Sequence, residues 1–166
     1  LDSAGRPLVA VAASQLLEAG CEPVLGVTGF SHDEVARAVA GMPVEIVLNG
    51  DWAEGIASSI RCAIAWLERP TSESTSALFT VSDMPDLVST HYRSIIATSS
   101  SGLIRVASNY GVSPNEPILG VPALFPREDW TALSAMAGYP PRSNLLSGTK
   151  TRSAPTKSGT LDLDTP

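Results

Sequence analysis

Apolar positions along the chain alternate between two periods. From Pro7 to Gly20, Leu8, Val9, Val11, Ala12, Leu16 and Leu17 recur at near-helical spacing, with proline at the favoured first position and glycine at the stop. This predicts a helix. Glu22 to Gly29 is a short run carrying Val24, Leu25 and Val27 between turn formers, the pattern of a strand buried on both faces. Ser31 opens a second helix through about Ala40, and Glu34, three residues on, completes a capping box. The pair then repeats as a strand at Val44 to Leu48 and a helix at Asp51 to Leu67, with Ile56, Ile60, Ala63, Ile64 and Leu67 on one stripe.

A polar loop at Thr71 to Ser76 leads to a strand at Ala77 to Val81, a helix from about Thr90 and a strand around Leu103 to Ala107. Beyond Tyr110 the alternation loosens. Ser113, Pro114 and Pro117 punctuate a loop, Ile118 to Phe125 is apolar, and Glu128 to Met136 reads as helical. Gly138 to Thr160 is rich in Pro, Ser, Thr and Gly, which predicts loops with one short helical piece at Ser143 to Leu146 and an edge strand. Strands separated by helices make βαβ units. The expectation is one three-layer, Rossmann-like α/β domain over residues 1–166 with a mostly parallel sheet.

Composition narrows the function classes. With 166 residues, 43% apolar and 17% charged, the chain can bury one substantial core. No apolar run approaches the roughly 18 residues a membrane span needs, and the start lacks the pattern of a secretory signal, so a cytoplasmic protein is expected. Cys21 and Cys62 have no C-x-x-C partner and read as free thiols in a reducing compartment. A net charge of −6 argues against nucleic-acid and membrane-surface partners, both of which need a basic face, and favours a small ligand. The only lysines are Lys150 and Lys157, so a phosphate bound by the first 149 residues must meet Arg, backbone N–H or metal. Leu1 to Pro7 reads as a turn between elements, and a segment upstream of it is expected.

Three stretches could carry chemistry. Asp83, in Ser82-Asp83-Met84-Pro85, follows a strand directly, and ligands of open α/β sheets sit at the carboxyl ends of strands. The same residue is also an ordinary turn former ahead of Pro85. Asp162-Leu163-Asp164-Thr165-Pro166 alternates acid and leucine, so an extended segment turns both carboxylates one way. With Asp83, Asp162 could supply the one or two carboxylates that Mg²⁺ takes alongside phosphate oxygens and water, or the segment is simply an acidic tail. From Asn49 to Arg61 a strand end runs into a helix through small polar residues. These can offer hydroxyls, amides and backbone donors to a ligand, or Asn49 or Asp51 caps the helix while Trp52 packs. His32 and His91, both at helix starts, read as surface residues. No dinucleotide, Walker, nucleophile-elbow or zincin motif is present.

In this order and spacing the stretches resemble the molybdenum cofactor nucleotidyltransferases, the cytidylyltransferase branch above all. Asn49, Trp52, Gly55, Ser58, Ser59, Ile60 and Arg61 match that family's N-x-x-W-x-x-G-x-x-S-S-I/L-R segment, Ser82-Asp83-Met84-Pro85 is similar to its G-D-x-P metal motif, and residues 162–166 are similar to its closing D-x-D-T-P. The resemblance covers essentially the whole chain. It implies a nucleotidyltransferase fold and Mg²⁺-dependent transfer of CMP from CTP to the phosphate of molybdopterin, releasing pyrophosphate. Asp83 and Asp162 would be the catalytic metal carboxylates with Asp164 as a further ligand, and Asn49, Trp52, Ser58, Ser59, Arg61 and Pro85 would bind nucleotide or substrate. A molybdoenzyme or its maturation factor is the implied protein partner. Such enzymes begin with a strand and a glycine-rich phosphate loop, and this chain starts beyond the point where that loop ends, so both are expected upstream. Two other readings stay open: a nicotinamide-dependent reductase similar to the nicotine blue oxidoreductases, and a non-catalytic nucleotide-binding domain.

Overall fold

A computed structural model of the chain describes residues 1–100, 104–110, 118–138 and 151–155. The first half follows the predicted alternation: α1 (Leu8–Glu18), β1 (Val24–Thr28), α2 (His32–Ala38), β2 (Val44–Leu48) and α3 (Ile56–Leu67). Then come β3 (Ser76–Phe79), α4 (Ser89–Thr98), β4 (Arg105–Asn109), β5 (Leu119–Pro126), α5 (Trp130–Ser134) and β6 (Thr151–Pro155). The predicted helical piece at 143–146 lies outside the described residues.

The fold is α/β. β1 and β2 pair in parallel, Val24 opposite Val44 through Thr28 opposite Leu48. The second sheet has the order β3-β5-β4-β6, with β6 parallel to β4 and β5 antiparallel to both β3 and β4. β5 is reversed because the short connection from Tyr110 to Ile118 leaves no room for a crossover helix, and antiparallel neighbours need none. Among the described residues, the second edge of β1 and the second edge of β3 have no partner strand.

Helices cover both faces. α1 and α3 both pack on β1; α1 also meets α2 and α4, whereas α3 meets α5. The main core lies under α3 and α5, where Ile64, Leu67, Ala77, Ala107, Phe125, Trp130 and Leu133 are buried. A smaller cluster of Ile95, Val106, Leu124 and Ala154 lies beneath α4. Two polar links hold α4 to α1. The first free N–H of α4, at Ser89, donates to the Gln15 side chain at 2.7 Å, and Arg93 donates to the Glu18 carbonyl near the end of α1. Arg105 on β4 grips Asp129 through paired bonds, Nε to Oδ2 at 2.9 Å and Nη2 to Oδ1 at 2.5 Å, which fixes the turn ahead of α5.

Three local expectations are corrected. The Ser31 side chain makes no cap bond, and α2 stops at Ala38, so the expected capping box does not form. His32 and His91 are half-buried rather than surface residues: His32 Nδ1 shares a 2.7 Å hydrogen bond with the Thr28 hydroxyl, and His91 Nδ1 accepts one from the Val88 N–H at 3.2 Å. The helix expected from Asp51 is broken. Trp52–Glu54 forms a 3-10 turn, Gly55 takes φ 101°, and α3 starts at Ile56. A φ of that sign is favourable only for glycine.

No helix among the described residues is long and apolar enough to cross a membrane. Burial pushes the thiols of Cys21 and Cys62 and the phenol of Tyr92 above their usual ranges. The nearby Asp51 charge adds to the effect at Cys62, while a bond to Thr80 partly offsets it at Tyr92. The unfolded chain therefore loses these protons first, so stability is complete below the unfolded thiol range and declines as pH rises above about 8.5. Urea midpoints should be level near neutrality and fall toward pH ~10, with the onset of the fall delayed in Cys21→Ser.

Candidate functional site

The end of β2 is organised by one side chain. Asn49 is 4% exposed, and its amide makes every bond it can reach: Oδ1 accepts the Asp51 N–H at 3.0 Å, while Nδ2 donates to Ser58 Oγ at 2.8 Å and Ser59 Oγ at 3.1 Å. Ser58 Oγ in turn donates to the Gly55 carbonyl at 2.7 Å. A strand end is thereby bolted to a helix start across the 3-10 turn. Sequence reasoning placed Asn49, Ser58 and Ser59 in one segment. The structure joins their side chains, and Asn49 and Ser58 are buried in the joint.

Trp52 leaves that turn 47% exposed and lies across the end of β1. A Cβ on Gly29 would come within 2.5 Å of Trp52 Cβ, so only glycine lets the indole approach. Phe30, 85% exposed, meets the indole edge to face with ring centroids 5.7 Å apart. Gly29 and Phe30 escaped the sequence-based site. Their only signal was a glycine closing a strand, which is common to many turns. Arg61 is anchored at both ends of its guanidinium, Nη2 to Glu54 Oε2 at 2.5 Å and Nη1 to the Met136 carbonyl at 2.8 Å. Glu54 and Met136 were also missed, because a carbonyl partner 75 residues away leaves no mark in local spacing.

Asp83 follows β3 by four residues, on the connection to α4 that also holds the half-buried Pro85. Its Oδ1 is buried and has no hydrogen-bond partner. A cleft of about 800 Å³ runs between β1 and β3, and Asp83, Ser59 and Ile56 line one end of it while Cys21, Ser74 and Leu67 line the other. α3 lines this cleft from Ile56 to Leu67, and Asp83 lies on the connection that leaves the carboxyl end of β3. Ligands of open α/β sheets bind at the carboxyl ends of strands. Asp162 and Asp164 lie outside the described residues, and among the described residues no cluster of three or more His, Cys, Asp or Glu side chains could hold a metal.

Because Asn49 has no exposed face, its loss should be felt as instability. Asn49→Ala leaves the Asp51 N–H unpaired at this joint and should cost about 1–3 kcal/mol in urea unfolding, with α3 fraying from Ile56 in hydrogen exchange.

Comparison with solved structures supports the fold. The homologue of Rv0371c from Mycobacterium sp. strain JC1 superposes with a TM-score of 0.78 at 21% identity, covering 97% of this chain and 78% of that one. Rv0371c of Mycobacterium tuberculosis, solved as a complex with manganese, gives 0.74 at 21% identity, covering 95% and 81%. A nucleotidyl transferase from Methanothermobacter thermautotrophicus, Mth528, gives 0.72 at 18% identity, covering 93% and 72%. Curated protein sequences give no match. Residues 1–152 match the family described as the MobA-like NTP transferase domain. With that match spanning nearly all of the chain, the protein belongs to the MobA-like NTP transferase domain family and is an NTP transferase domain of the nucleotidyltransferase type.

Proposed function

We propose that the domain serves a Mg²⁺-dependent transfer of CMP from CTP to the phosphate of molybdopterin, in the cytoplasm and in support of a molybdoenzyme or its maturation factor. The observation that carries the reading is the orphaned Oδ1 of Asp83. A buried carboxylate oxygen without a donor is costly, and a divalent cation is the partner that would satisfy it. Mg²⁺ uses one or two carboxylates plus phosphate oxygens and water, so a half-buried Asp that lines an open cleft and has one orphaned oxygen fits it.

Asp162 is the proposed second carboxylate, with Asp164 beside it. β6 runs parallel to β4, and β3 and β4 share a direction because both oppose β5, so the chain leaves Pro155 on the side of the sheet where Asp83 lies. Asp162 follows Pro155 by seven positions, a reach of up to about 25 Å. The cation would neutralise charge on the α-phosphate and the departing pyrophosphate. The chain's own work is positioning. Trp52 offers an exposed aromatic surface for a planar base, Ser59 brings a hydroxyl to the cleft that Asp83 also lines, and Pro85 stiffens the turn that aims Asp83. Asn49, Ser58 and Arg61 act at one remove, by fixing the turn that carries Trp52 and Glu54.

Asp83→Asn tests the reading because it separates binding from folding. Removing an uncompensated charge should leave the melting midpoint unchanged or raised, while abolishing the Mg²⁺-dependent upward shift that CTP gives the parent chain. A shift with GTP in place of CTP would move the base assignment, and a metal-independent shift with NADPH alone would sink the transferase reading in favour of a reductase on the same scaffold.

A further inference from the structure

The carboxylate of Asp83 is not aimed by any bond of its own. Among the described residues no hydrogen bond or ion pair reaches it, and the connection from Thr80 to Val88 that carries it has no helix or strand. A side chain on such a segment must give up conformational freedom before it can hold a ligand, which weakens binding. The segment, however, is tied.

The first tie is a neck. Thr80 and Tyr92, 12 residues apart, share a hydrogen bond between their hydroxyls at 3.3 Å, which closes the chain into a loop around Asp83. Tyr92 is 0% exposed. A phenylalanine ring would fill the same space, so the hydroxyl is the part of Tyr92 that packing does not explain. Within the loop the Leu87 N–H donates to the Met84 carbonyl at 3.2 Å, and the Leu87 side chain is buried.

The second tie joins the loop to the rest of the site. Helix caps commonly come from the residue at the cap position, but Val88, which stands there, has no side-chain acceptor for α4. Gln15 supplies one from another helix. Its Oε1 accepts the Ser89 N–H at 2.7 Å across 74 positions, where the connection becomes α4. α1 packs on α4 and on β1, and β1 leads into the Gly29 that Trp52 covers. The loop and Trp52 therefore share one frame.

We propose, on the metal reading of Asp83, that Tyr92 and Gln15 are positioning residues: they hold the loop so that its carboxylate is preset at the cleft for a divalent cation. Tyr92 is fully buried and Gln15 does not line the cleft, so both act through the loop and not by contact with a ligand.

The test titrates the folded chain with Mn²⁺ alone, reading free Mn²⁺ by electron paramagnetic resonance far below the melting midpoint. Groups that orient a metal ligand typically change affinity by about tenfold or more, so Tyr92→Phe and Gln15→Met should each weaken Mn²⁺ binding about tenfold. A purely structural role would lower the melting midpoint and leave that affinity alone. Gln15→Glu keeps an acceptor for the Ser89 N–H and should restore the parent affinity in about 0.5 M salt, where its added charge is screened. Without metal, hydrogen exchange between Ser82 and Leu87 should quicken in Tyr92→Phe and Gln15→Met while β5 keeps the parent's rates. Either variant binding Mn²⁺ as the parent does would remove that residue from the role, and Gln15→Glu as weak as Gln15→Met would overturn the cap as the cause. In both cases a loss of binding in Asp83→Asn would leave the metal reading standing. Asp83→Asn indistinguishable from the parent would sink the metal reading itself, and the positioning role with it.

Discussion

The buried amide of Asn49 is the constraint on which the site geometry depends. A strand that ends at Leu48 must hand over to a helix that starts at Ile56, and the intervening turn has no apolar anchor of its own beyond the half-exposed Trp52. Bonds from one carboxamide to the turn and to two serines replace that anchor. Each is worth only about 1 kcal/mol net, but leaving any of them unmade underground costs more. The direction of α3 follows from this joint, and with it the burial of Ile64 and Leu67, one wall of the cleft and the placement of Arg61 against Glu54.

This assigns different work to residues that looked alike in the sequence. Asn49, Ser58 and Arg61 spend their polar groups inside the protein, whereas Trp52, Ser59 and Asp83 keep a surface or an atom free for something else. The first 149 residues contain no lysine, so a phosphate bound by them must meet arginine, backbone N–H or a cation. Arg61 is committed on both sides, which leaves the metal reading of Asp83 with fewer competitors.

Element types in the first half were legible because burial on two faces writes continuous apolar runs for strands, and a stripe of Ile56, Ile60, Ala63, Ile64 and Leu67 for a helix. What the pattern does not encode is backbone sign and long-range direction. Gly55 breaks the segment after Asp51 by adopting φ 101°, a choice that periodicity cannot display. The reversal of β5 is equally silent, since an apolar strand reads the same forwards and backwards. The motif spacing singled out Asn49, Trp52, Ser58, Ser59 and Arg61, whereas Phe30, Glu54 and Met136 meet these residues through contacts that local spacing does not encode.

The division of the hydrogen-bond ladder has a consequence for cooperativity. β1 and β2 are joined by a short local helix, so their pairing closes little chain and needs nothing from residues beyond Leu48. The other sheet must gather strands from Ser76 to Pro155, a far more expensive closure in chain entropy. Among the described residues the two sheets share no ladder, and they meet through the packing of α1 and α3 and through the bonds of Ser89 to Gln15, Arg93 to Glu18 and Arg61 to Met136. On loop-closure grounds the β1–β2 pairing forms early and the larger sheet sets the slower, later phase.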